Sequence, residues 1–202
     1  MVKPKKLEPN SRIGIVSPSY WLDKDDLKRS VKYFSDAGYN IKIGRSNHLQ
    51  NGPFAGTAQE RADDINEMFL NPDVDAILCA RGGYGANKVL PLIDYENIRS
   101  NPKIFLGYSD ITAYLTSITQ KTDLVTFHGP MLSSFREEFV QYNYDSMMSV
   151  LGLASSVTIS APKNVSPRIL RPGICKGEIW GGNLTLIANR LGFADCLKTN
   201  DV

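Results

Sequence analysis

A chain of 202 residues, 42% hydrophobic and 22% charged, has the composition of an ordinary globular protein, long enough for one sizeable core or for one domain with part of a second. Its 23 basic and 21 acidic residues leave a formal charge of +2, so charge points neither to nucleic acid nor to an anionic membrane as a partner. No apolar run reaches the roughly 18 residues of a membrane helix, and the basic start at Lys3, Lys5 and Lys6 precedes no apolar signal segment.

Cys79, Cys175 and Cys196 are far apart and show no CxxC spacing. An odd count without a signal segment reads as free thiols in a reducing cytoplasm. Two histidines and scattered carboxylates form no metal-ligand pattern, so neither a metal nor another cofactor is expected.

Taken in order, Ile13-Gly-Ile-Val16 reads as a buried strand closed by Ser17-Pro-Ser19. Leu27, Val31 and Phe34 share one face of a helix from about Asp23 to Asp36, stopped at Gly38, and Asn40 to Ile43 is a second strand. The small, polar stretch Gly44 to Gly56 is expected to be a mobile loop. Thr57-Ala-Gln-Glu60 is a capping box opening a helix with Ala58, Ala62, Ile65 and Phe69 on one face. Val74 to Cys79 is apolar enough for a strand buried on both faces. The loop Arg81-Gly-Gly-Tyr-Gly85 leads into a helix to about Ile93. A fourth strand, Lys103 to Leu106, enters the turn at Ser109, and a helix follows over Ile111 to Ile118. Leu124 to Phe127 is a fifth strand closed by His128-Gly-Pro130, and a helix runs from about Glu137 to Val150.

Apolar strands alternating with helices at short spacing predict an α/β fold, a mostly parallel sheet with helices on both faces, flavodoxin- or Rossmann-like, over residues 1–150. Composition changes after Leu151. Residues 151–176 read as a linker with one strand at Val157–Ser160, and 177–202, with a helix to Leu191, as the truncated start of a second domain.

Ligands of such sheets bind at the carboxyl ends of the strands. The Arg81 loop, the Ser109 turn and His128 all follow strands and are expected on that edge. A serine on a strand-to-helix turn presents its hydroxyl to a cleft, with backbone N–H groups facing an anion. The alternative is a plain loop with Ser109 or Asp110 as an N-cap, since the second glycine of a G-x-S-x-G elbow is replaced by Ile111. The glycines of the Arg81 loop permit close approach of an anion or, equally, a tight turn, and they match neither G-x-G-x-x-G nor a P-loop. Tyr84 and Trp180 are candidates to line a pocket, with ordinary packing preferred for Trp180.

Arg81-Gly-Gly-Tyr-Gly85, Leu90-Pro-Leu-Ile-Asp-Tyr95, Lys103-Ile-Phe-Leu-Gly-Tyr-Ser-Asp-Ile-Thr-Ala113, Phe127-His-Gly-Pro-Met131 and Gly181-Gly-Asn-Leu184 occur in this order. Together they resemble the LD-carboxypeptidases, a serine peptidase family that also holds the microcin C immunity peptidases. The likeness runs from Ile13 to about Leu191. It implies a cytoplasmic, metal-free hydrolase that releases D-alanine from murein tetrapeptide in peptidoglycan recycling, or cleaves a microcin-type conjugate. By this resemblance Ser109 is the nucleophile, the N–H groups of Gly83 and Asp110 form the oxyanion hole, and Arg81 and Tyr84 meet the small peptide substrate. A homodimer is compatible with it. In the family the triad Glu and His lie downstream of the Gly-Gly-Asn-Leu segment, and no residue here matches them; His128 and Glu178 do not take their place. The chain alone is therefore expected to be nearly inactive. The rival classes are a non-catalytic module binding peptidoglycan fragments and a nucleotide-binding doubly wound protein.

Overall fold

In the computed structural model, which describes residues 1–135, 141–152, 157–159 and 161–193, five short apolar runs pair into one sheet. Strands β1 (Arg12–Val16), β2 (Asn40–Ile43), β3 (Ala76–Cys79), β4 (Ile104–Gly107) and β5 (Phe127–His128) lie in the order β2-β1-β3-β4-β5, each pair parallel. The chain winds outward from β1 to β2, then recrosses to β3. The gap between β1 and β3 is thus the switch point where such sheets open a crevice.

Seven α-helices are seen among the described residues: α1 (Lys24–Asp36), α2 (Ala58–Leu70), α3 (Ala86–Val89), α4 (Tyr95–Ser100), α5 (Thr112–Thr122), α6 (Gln141–Leu151) and α7 (Leu184–Asn189). Asp23 caps α1 by accepting from the N–H groups of Asp25 and Asp26, and both halves of the Thr57–Glu60 capping box are formed at α2. Strand side chains alternate between two cores. Ile13, Ile15, Ala76, Leu78, Ile104 and Leu106 pack with Leu27 and Phe34 of α1 and Met147 of α6. Ile77, Cys79 and Phe105 face the other way, against Ile65, Met68 and Phe69 of α2 and Tyr114 and Ile118 of α5. Both faces of the sheet are therefore covered, as the uninterrupted apolar strands require.

The structure departs from expectation at several places. Helix α4 is too short to leave a periodic signal; its marker is Asp94, whose carboxylate accepts from Asn97 N–H at 2.9 Å. Strand β5 begins later than expected because Val2 takes the backbone groups of the preceding residues: Val2 N–H donates to Asp123 O at 2.7 Å and Val125 N–H to Val2 O at 2.8 Å. The strand expected at Val157–Ser160 is absent over the described residues 157–159, where Ile159 is exposed and no sheet face receives it; Ser160 lies outside the described residues. Residues 137–140 of the helix expected from Glu137 also lie outside them.

The first residues of the stretch expected to be a mobile loop are held by a buried network. Arg45–His48 forms a 3-10 turn in which Ser46 and Asn47 are buried. The Asp64 carboxylate accepts from the N–H groups of Arg45 and Ser46, both at 3.0 Å, and from the Ser46 hydroxyl. Asn47 Nδ2 donates to Ile15 O at 2.7 Å, and the Ser17 hydroxyl donates to Asn47 Oδ1 at 2.9 Å. The polar side chains that suggested exposure are spent on bonds to one another and to backbone groups of the turn and of β1.

Burial holds the Asp64 carboxyl above its ordinary value, against the lowering effect of its Ser46 and Arg45 donors. The folded state therefore binds this proton more tightly than the unfolded chain. The stability it contributes is full below the ordinary value of 3.8 and is lost as pH rises through the folded value. Asp64→Asn removes that pH slope. It also turns an NH2 group toward one of the three donors, with an expected loss of about 1–3 kcal/mol. Urea unfolding on both sides of the transition, at unchanged m, checks both effects.

Residues 182–190 dock on α5. Asn183 N–H donates to Thr112 Oγ1 at 2.9 Å, and Asn183 Oδ1 caps α7. The buried Arg190 guanidinium donates to Asn87 Oδ1 at 2.7 Å and Ser117 Oγ at 3.0 Å. The Gly181-Gly-Asn-Leu184 motif thus lies beside the first turn of α5, close in sequence to Ser109.

Candidate active site

Ser109 leaves β4 in a left-handed conformation, φ +62°. A non-glycine residue pays strain there, and such strain collects at functional turns. The turn closes tightly on one glycine: a Cβ at Gly107 would come within 2.7 Å of Ile111 Cγ2. Ile111 can occupy the position of the expected second glycine because Gly107, two residues before the serine, presents no side chain to it. The 3-10 turn Ser109–Ile111 then continues into α5, with Ser109 half-buried and Asp110 and Ile111 buried.

The Arg81 loop closes over this turn. Gly82 is so near that a Cβ there would lie 3.1 Å from Ser109 Cβ and 3.4 Å from its Oγ. Gly83 has φ +142°, and a Cβ on it would overlap the Tyr20 ring. Its N–H has no hydrogen-bond acceptor among the described residues. Arg81 and Tyr84 are exposed at the rim. The Arg81 guanidinium lies 5.8 Å from the Tyr20 ring centroid and donates to Trp21 O at 3.4 Å. His128 sits opposite Gly107 in the β4–β5 register, exposed, its ring 6.3 Å from that of Tyr108. The Arg81 loop, Ser109 and His128 thus share the carboxyl edge. Among the described residues, however, no imidazole or carboxylate hydrogen-bonds Ser109 Oγ.

Beneath the turn lies a polar cluster that sequence reading missed. Asp110 Oδ2 accepts from the Ser19 hydroxyl at 2.6 Å and from Ala86 N–H at 3.2 Å. Pro18 O accepts from Arg61 Nη1 at 2.9 Å and from the Tyr114 hydroxyl at 2.8 Å. Burial pushes the Asp110 carboxyl up, while Ser19, Ala86 N–H and the charge of Arg61 favour its ionised form. The available signal was Ser17-Pro-Ser19 itself, a polar turn at the carboxyl end of a first strand beside the switch point.

A cavity of about 680 Å³ is bordered by Leu115, Thr119, Phe127, His128, Tyr142 and Trp180, and Ser109 is not part of its lining. It is mostly apolar and gathers none of the strained or charged groups of the turn, so it does not mark the chemistry. Trp180 borders it, half-buried, with Nε1 3.4 Å from Glu178 Oε2.

Sheet order, a strained serine at the end of β4 and a glycine loop packed on it define a doubly wound α/β domain with its site at the carboxyl edge. Residues 13–129 match the LD-carboxypeptidase N-terminal domain family. The chain is 38% identical over 196 residues to the Bacillus subtilis protein named "Probable murein peptide carboxypeptidase", covering 94% of this chain and 60% of that one. It is 33% identical over 202 residues to the microcin C7 self-immunity protein MccF of Escherichia coli, covering 87% of this chain and 59% of that one. A solved structure of MccF without ligand superimposes with a TM-score of 0.85 at 30% identity, covering 96% of this chain and 67% of that one; MccF has also been solved with aspartyl sulfamoyl adenosine. The chain belongs to the LD-carboxypeptidase family. It spans about 60% of the length of the curated relatives it matches first.

Proposed function

We propose that Ser109 is the nucleophile of a serine-type LD-carboxypeptidase acting on a murein tetrapeptide. The observation that carries this reading is the left-handed Ser109 turn with the Gly82–Gly83 backbone packed against it. Ser109 Oγ attacks the peptide carbonyl, negative charge develops on the carbonyl oxygen, and the N–H groups of Gly83 and Asp110 meet it. The hydroxyl proton passes to water, the amine of D-alanine leaves with a proton taken from water as the C–N bond breaks, and a second water hydrolyses the acyl-enzyme, freeing the shortened peptide and Ser109. Arg81, at the rim, meets the substrate's free carboxylate, and Tyr84 flanks it.

The described residues provide Ser109 with no base. Turnover by these 202 residues alone is therefore expected to stay at the residual level of an oxyanion hole and binding, of order 10³–10⁴ over water. A cytoplasmic setting fits the free thiols Cys79 and Cys175, and no helix among the described residues is long and apolar enough to cross a membrane.

The test is D-alanine release from murein tetrapeptide by the chain and by a chimera carrying the C-terminal part of the Bacillus subtilis relative. Release by the chimera supports the reading, and its absence rejects it. Binding without turnover in either form transfers the protein to the class of peptidoglycan-fragment modules. The likeness to MccF supports a second reading, cleavage of an aminoacyl sulfamoyl nucleotide. Faster cleavage of aspartyl sulfamoyl adenosine than of tetrapeptide by the chimera would select it. Arg81→Ala is expected to raise KM about tenfold with little change in kcat, as loss of a charge-assisted bond made equally in ground and transition states does.

A further inference from the structure

The buried polar cluster has no part in the bond-making just described, yet its bonds link the three loops that build the site. Ser109 and Asp110 are consecutive. The Asp110 carboxylate holds Ser19 at the end of β1 and Ala86 at the start of α3. From Ser19 the chain passes to Tyr20, whose N–H donates to Gly82 O at 3.4 Å. Gly82 in turn packs on Ser109. The contacts therefore close a ring: Asp110 to Ser19, Tyr20 to Gly82, and Gly82 back to Ser109. Ala86 closes a second, smaller ring around Gly83–Gly85. Arg61 and Tyr114 fix the Pro18 carbonyl one residue before Ser19, from α2 and α5 respectively.

We propose that the Asp110 side chain is a positioning residue, a clamp that holds the Gly82–Ala86 loop against the Ser109 turn and so sets the Gly83 N–H relative to the serine hydroxyl. A buried acceptor shared by two donors from different strand ends resists separation of those ends, because each donor would otherwise be left unpaired away from water. Both bonds fall on Oδ2, so an asparagine with its amide oxygen in that place keeps them, whereas alanine loses both. The catalytic consequence rests on the reading of Ser109 as nucleophile; the clamp does not.

The test is amide hydrogen exchange, followed by NMR on the 202-residue chain. In Asp110→Ala the Tyr20 and Ala86 amides are expected to exchange about tenfold faster or more, while Ile77 and Phe105 in the sheet keep their rates. Asp110→Asn restores both sites. Ser19→Ala opens one arm only, speeding Tyr20 and sparing Ala86, and it decides the matter should Asp110→Ala fail to fold. Unchanged exchange at Tyr20 and Ala86, a general rise that includes the sheet, or an asparagine variant as fast as the alanine one overturns the clamp. A fluorophosphonate, applied to the chimera that carries the relative's C-terminal part, supplies the separate check on the reading it rests on: the Oγ–P bond forms, P–F breaks, fluoride leaves and the hydroxyl proton passes to solvent. A chimera with the wild-type sequence that does not label at Ser109 removes the nucleophile and leaves the exchange result to judge the clamp. A wild-type chimera that labels no faster than its Asp110→Ala variant removes the clamp's catalytic role.

Discussion

Ser109→Ala in the chimera is expected to lower D-alanine release by on the order of 10⁴-fold or more, since nothing else supplies the attacking oxygen. The same position carries a stability signature with the opposite sign. Serine and alanine both bear the strain of φ +62°, whereas glycine does not. Ser109→Gly should therefore be inactive yet about 1 kcal/mol more stable than Ser109→Ala. At an ordinary position glycine is the less stable of the two by about 0.5–1 kcal/mol, so the sign of the difference in urea midpoints decides. A glycine variant less stable than the alanine one would show that the turn is not strained in solution. Turnover surviving in the alanine variant would remove Ser109 as nucleophile.

Gly83→Ala is the second large effect. The new Cβ meets the Tyr20 ring at a backbone angle of φ +142° that L-residues avoid. The loop must move, and on the proposed reading of the Gly83 N–H as an oxyanion donor that donor is displaced. Loss of one oxyanion donor costs about 10²–10³ in kcat, with KM altered less because the donor acts on charge that develops only in the transition state. Tyr20→Ala in the same chain removes the ring but not the backbone strain, so it should restore part of the rate. Full activity in Gly83→Ala would show that another donor meets the oxyanion.

Much of the fold was legible because its signals are local. Ile13–Val16, Asn40–Ile43 and the Thr57–Glu60 box report strand and cap through neighbouring residues, and alternation of such units selects a parallel sheet. From sheet order it follows that Arg81, Ser109 and His128 share an edge. Features that depend on a distant partner were not legible. The length of β5 was decided by Val2, far away in sequence. The polar stretch after β2 carries no local sign of Asp64, which holds its first turn from beneath.

The Ser109 turn divides in the same way. Sequence alone determined that a serine follows a buried strand and precedes a helix, and the ordered motifs around it determined the family, because strand, turn and helix propensities act over a few residues. Tertiary structure decided that the serine is left-handed, that Gly107 admits Ile111, and that Gly82 lies on the serine. It also decided that Asp110 reaches Ser19, 91 residues away, and Ala86, 24 residues away. Those contacts join groups from three strand ends, and only the packing of the sheet brings the ends together.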